Sequence, residues 1–269
     1  MTLVSPTVGG EVTSGRISFF SGLKESLLHV DGLTMAKSVW FGCLLLLASV
    51  LGACGGEPDH RVLFVGNSFT HGNNMPDMVE EIADANGAKI EWTMIAPGGA
   101  YLDEHQYNTE VVTALRSGNF DTVVFQEQSV ITSVPDMVAS RTLPAARTLD
   151  SIADAAGVRV IWFQTWGHLN GFPDVGYSDY ASMQRAISAT YDQIAVETSA
   201  SVARVGDRWG RTLGSVSVGL YSADGYHASP AGSYVAAIEL AGSITGVSIV
   251  EAPSVDGVES DVAEILVGA

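Results

Sequence analysis

Basic residues are scarce in this sequence. Thirteen lysines and arginines stand against thirty aspartates and glutamates, a net charge of −17 at neutral pH, and lysine occurs only as Lys24, Lys37 and Lys89. Such a surface repels phosphate backbones and anionic bilayers, which sets nucleic acid aside as a partner. The acidic excess names no substrate; it reads as a solubility feature. Cysteine is scarcer still. Cys43 and Cys54 both lie in the N-terminal apolar region, so the body of the chain has no disulfide, no thiol nucleophile and no cysteine metal site. His60, His71, His105 and His168 show neither a His-Glu-x-x-His pattern nor another ligand spacing, and no metal or other cofactor is expected.

Long apolar runs are missing too. The strongest, residues 39–51 (VWFGCLLLLASVL), is too short to span a bilayer comfortably. Lys37 precedes it and Gly52-Ala53 close it, the layout of a secretory signal peptide. The junction Leu51-Gly52-Ala53-Cys54 resembles the bacterial lipobox, which implies lipidation of Cys54 and a cell-envelope location. Residues 1–34 show no usable periodicity and Met35 stands where a signal peptide would begin, so 1–34 are read as an upstream extension, 35–53 as the signal peptide and 54–59 as a tether.

What is present is an alternation of strand-like and helix-like segments in a chain that is nearly half apolar and 16% charged, enough to bury a sizeable core. Arg61–Val65, Lys89–Ile95, Asp121–Phe125, Val158–Phe163 and Val202–Val205 read as five strands. Helices are expected over 75–86, 109–117, 144–156 and 178–198, and over 230–241, where Ser229 caps, Pro230 takes the first position and Gly242 terminates. Strands alternating with helices imply one α/β domain, a parallel sheet covered on both faces, with ligands at the carboxyl ends of its strands.

Chemistry-bearing residues fall at those ends. Gly66-Asn67-Ser68-Phe69-Thr70 follows the first strand: a glycine permits a sharp turn, and a serine emerges near a helix start, where free N–H groups favour negative charge. Asp224-Gly225-Tyr226-His227 precedes the last helix, and a carboxylate three residues before an imidazole can fix its tautomer. The Gly-x-Ser-x-Gly elbow is absent, since position 70 is threonine. Trp166, after the fourth strand, is read as core or rim packing ahead of a sugar-stacking wall.

Over roughly residues 60–248 these blocks resemble the SGNH (GDSL-like) hydrolases, in the family's order. Gly66-Asn67-Ser68 matches the first block and Asp224 with His227 the last. In Pro97-Gly98-Gly99-Ala100-Tyr101-Leu102, Gly99 is the better match to the glycine of the oxyanion hole. The third block, usually Gly-x-Asn-Asp, is replaced by Gln126-Glu127-Gln128-Ser129; this resembles carbohydrate esterases with a Gln-Gly-Glu run. The resemblance implies a three-layer α/β/α fold of flavodoxin type and a Ser68–His227–Asp224 triad. It also implies an oxyanion hole from Ser68, Gly99 and a glutamine, with Gln126 ranked first and Gln128 second. Glu127 is assigned to anchoring the loop. The implied activity is hydrolysis of small acyl esters, with O-acetyl groups on carbohydrates within that class. The alternative is a non-catalytic, glycan-binding surface lipoprotein of the same fold. Residues 249–269 are set apart as a C-terminal extension.

Overall fold

The computed structural model describes residues 57–269. The upstream extension, the signal peptide, Cys54 and the glycines of the tether lie outside the described residues.

Strand β1 is His60–Val65, followed by helix α1 (Met75–Ala85), β2 (Ile90–Ile95), α2 (Thr109–Arg116) and β3 (Thr122–Phe125). Then come α3 (Leu143–Ala155), β4 (Arg159–Phe163), α4 (Tyr180–Thr198), β5 (Ser201–Ala203), α5 (Val205–Ser215), α6 (Pro230–Thr245) and α7 (Ser260–Val267). The strands form one parallel sheet in the order β2-β1-β3-β4-β5. It is the three-layer α/β/α architecture expected from the alternation.

The central strands carry apolar side chains on both faces because both are covered. Val62, Phe64, Val124, Ile161 and Phe163 pack under α1, α5, α6 and α7. Leu63, Val65, Val123, Phe125 and Trp162 pack under α2, α3 and α4. β1 has β2 on one side and β3 on the other, so winding reverses between β1 and β3. Loops leaving their carboxyl ends part there and open a crevice.

Two expectations are corrected. Helix α6 runs through Gly242 and stops at Gly246, whose φ of 74° gives the left-handed termination; its N–H bonds the Gly242 carbonyl at 2.9 Å. The added turn buries Ile244. Val205–Ser215, read as the end of a strand and a loop, is a helix that buries Val205, Trp209 and Thr212 along one face. Residues beyond 248 belong to the same packed body: Val258, Ala263 and Leu266 are core residues beside α6.

Candidate active site

The nucleophile turn is assembled from β1 and tied down from β3. At Gly66 a Cβ would collide with Thr70 Oγ1 and Gln126 Oε1, so only glycine lets these groups close around the turn. Asn67, 2% exposed, caps the short helix Ser68–His71 through Oδ1, which accepts the Phe69 N–H at 3.0 Å. Its Nδ2 donates to the Ala100 carbonyl at 2.9 Å, joining the turn to the loop after β2.

Gln126 does not face the cleft. Fully buried, it accepts the Asn67 N–H at 2.8 Å and the Thr70 hydroxyl at 2.9 Å through Oε1, while Nε2 donates to the Glu127 carbonyl at 2.6 Å. Its oxygen is spent on shaping the nucleophile turn and its nitrogen on the carbonyl of its own neighbour. This corrects its first rank as oxyanion donor: a strand-end residue alternates inward or outward, and here the pleat turns 126 inward.

Ser68, His227 and Asp224 meet across the crevice. His227 Nε2 lies 2.9 Å from Ser68 Oγ, and His227 Nδ1 lies 2.7 Å from Asp224 Oδ2. The second Asp224 oxygen accepts the N–H groups of Tyr226 at 3.0 Å and His227 at 2.9 Å. Partial burial pushes the Asp224 carboxyl up, but the Tyr226 N–H, the imidazole and the His227 N–H outweigh it and hold it down at about 2. An ionised carboxylate fixed at three points can orient the ring and stabilise its cation.

Gly99 and Gln128 line the same cleft as Ser68. Gly99 has φ 74°, a backbone conformation that β-carbon residues rarely adopt. Gln128 Oε1 accepts the Ile131 N–H at 3.0 Å, leaving the amide's donor end without an acceptor among the described residues. Behind them sits Glu127, 1% exposed. Burial pushes its carboxyl up to about 7, against hydrogen bonds from Leu102 N–H, Gln128 N–H and the Thr142 hydroxyl.

The cleft holds about 470 Å³ and is walled by Phe69, Val130, Phe172 and Tyr226 with the polar Ser129 and His168. Burial pushes the His168 imidazole down, against the pull of Asp224, so a neutral ring faces the cleft. Its position after β4, at the carboxyl edge, was the available signal; ligand spacing alone passed it over. Trp166 is fully buried, as its packing assignment expects. It stacks on Phe69 at 4.5 Å and on Trp209 at 4.2 Å, and its Nε1–H donates to the Tyr226 carbonyl at 2.9 Å.

No protein-family model matches the chain, and no curated protein sequence matches it significantly. Solved structures do. A protein of Slackia heliotrinireducens assigned to the SGNH hydrolases shares 31% identity over 68% of this chain and 97% of its own, with a TM-score of 0.57. A DUF4886 family protein from Bacteroides uniformis shares 18% identity over 78% of this chain and 92% of its own, with a TM-score of 0.64. An acetylxylan esterase of Geobacillus stearothermophilus shares 14% over 70% of this chain and 95% of its own, with a TM-score of 0.55. The last two likenesses speak to fold alone.

Proposed function

The chain belongs to the SGNH hydrolases, and on that footing we propose that it is a serine esterase cleaving small acyl esters through Ser68, His227 and Asp224. The observation that carries the proposal is the unbroken relay from Ser68 Oγ through the imidazole to the Asp224 carboxylate, at 2.9 and 2.7 Å. In this reading Ser68 Oγ attacks the acyl carbon while His227 Nε2 takes its proton. The carbonyl oxygen becomes an oxyanion, received by the N–H groups of Ser68 and Gly99 and the Gln128 amide. Collapse expels the alcohol, which takes the proton from His227. Water, deprotonated by the same imidazole, then releases the acid from Ser68.

The cleft supports a neutral substrate: no lysine or arginine is among the described residues lining it. We place O-acetyl groups on carbohydrates within that class. Tyr226 and Phe172 offer aromatic faces beside polar His168 and Ser129, and an acetylxylan esterase shares the fold. A relay joined at both links favours catalysis over a purely glycan-binding role. Export and lipid attachment at Cys54 belong to the same proposal and rest on residues 35–54 of the sequence.

The test is labelling of the purified protein with a fluorophosphonate, followed by identification of the modified peptide. A label on Ser68, lost in Ser68→Ala, is the expected result. Labelling elsewhere, or none together with no hydrolysis of an aryl acetate, overturns the proposal.

A further inference from the structure

The two arms proposed for the oxyanion hole come from loops without chain continuity. Gly99 lies in the turn after β2, and Gln128 in the loop after β3. One side chain touches both loops. Through a single oxygen, Oε1, the Glu127 carboxylate accepts the Leu102 N–H at 2.9 Å and the Gln128 N–H at 2.7 Å. Its Oε2 accepts the Thr142 hydroxyl at 3.1 Å, and the Glu127 N–H donates to the Tyr191 hydroxyl at 3.4 Å. Leu102 follows Gly99 by three residues, and the carbonyl of the intervening Ala100 is held by Asn67 Nδ2. The chain just after Gly99 is therefore pinned at two points, at Ala100 by the residue before the nucleophile and at Leu102 by Glu127.

We propose that Glu127 is a positioning residue, resting on the esterase reading above, which sets the separation of Gly99 and Gln128 so that their donors converge on one oxygen. Two N–H groups from different loops that share one acceptor atom cannot drift apart without breaking a bond. An apolar side chain of similar volume would fill the space without the desolvation cost of a buried carboxyl. Packing alone does not require the carboxylate; fixing two loops to a common point does. Glu127 itself lies behind the cleft wall and touches no substrate.

The test compares Glu127→Ala, Glu127→Met and Glu127→Gln with wild type in kcat and KM on an aryl acetate, and in amide hydrogen exchange at Leu102 and Gln128. Glutamine keeps the shared acceptor, so it should hold kcat near wild type. Alanine and methionine remove it. Since a misplacement of about 1 Å can cost on the order of 10²-fold, kcat should fall about 10- to 100-fold with KM little changed, and both amides should exchange faster. Methionine fills the site, so the comparison stands even if alanine fails to fold. A folded methionine variant with wild-type kcat, or one that raises KM alone, overturns the proposal. Ser68→Ala separates the two readings: turnover surviving that change refutes the esterase, whereas Ser68-dependent turnover indifferent to Glu127→Met refutes only the positioning role.

Discussion

The indole N–H of Trp166 holds the carbonyl of Tyr226, the residue before His227, while the same ring lies parallel to Phe69, the residue after Ser68. One buried side chain thus braces both halves of the relay. Trp166→Phe keeps a stacking surface but leaves the Tyr226 carbonyl without its donor, which should cost about 1–3 kcal/mol. Thermal unfolding should register that loss, and kcat should fall with it because the His227 loop is released. Unchanged turnover in a destabilised variant would show that the brace serves stability only.

The relay makes its own prediction. Ser68→Ala and His227→Ala should each lower kcat by up to about six orders of magnitude, and Asp224→Asn by roughly four. Circular dichroism must show the fold intact in each variant. A folded Ser68→Ala protein with near-normal esterase activity would mean that the nucleophile is another residue.

The two glutamines should separate cleanly. Gln128→Ala should reduce kcat by roughly 10²–10³ with little change in KM, as for loss of one oxyanion donor. Gln126→Ala should act first on stability, because it strands the Asn67 N–H and the Thr70 hydroxyl in the interior; each such group costs about 1–3 kcal/mol. Urea unfolding and steady-state kinetics on both variants measure the contrast. Equal stability loss in the two would remove the distinction.

Glu127 predicts a pH dependence of stability. Its carboxyl is raised in the folded chain from 4.5 to about 7, chiefly by burial, so the native state binds the proton more tightly than the unfolded state. The stability linked to that proton is fully present below about 4.5 and is lost as pH rises through 7. At about 1.36 kcal/mol for each unit, the change amounts to roughly 3 kcal/mol. Between pH 4.5 and 8, wild type should lose that much relative to Glu127→Gln, which cannot ionise. Parallel curves for the two proteins would refute the assignment.

For Cys54, the measurement is detergent partitioning of protein expressed in a bacterial host. Lipidated protein should enter the detergent phase and Cys54→Ala should not, since two acyl-type anchors hold a membrane where one does not. Aqueous partitioning of the unaltered protein would count against lipidation.

The strands were legible because a parallel sheet buried on both faces leaves near-continuous apolar runs, and each ended within a residue or two of its expected bounds. The Ser68 and His227 loops were legible because each follows or precedes a regular element at the expected edge. Helix α5 was not, since Gly206, Gly210 and Gly214 depress its helical propensity. Gly206 is needed all the same: a Cβ there would strike Gln184 and the Thr165 carbonyl. The choice between Gln126 and Gln128 was hidden for a different reason. Two residues apart, they would share a side in a continuing strand, but β3 ends at Phe125, and the course of the loop beyond it, which local composition does not specify, decides which of them faces the crevice. The role of Trp166 needed three-dimensional neighbours, Phe69, Trp209 and Tyr226, from three separate parts of the chain.

The direction of β1 has a practical consequence. The chain enters this strand at His60, at the amino edge of the sheet, and the cleft opens beyond Val65 at the opposite edge, a run of about 20 Å at some 3.3 Å per residue. A bead or glass surface coupled ahead of residue 57 through a flexible spacer would meet the side of the molecule away from the cleft. Immobilised in that way, the molecule keeps its cleft turned outward, toward the solution.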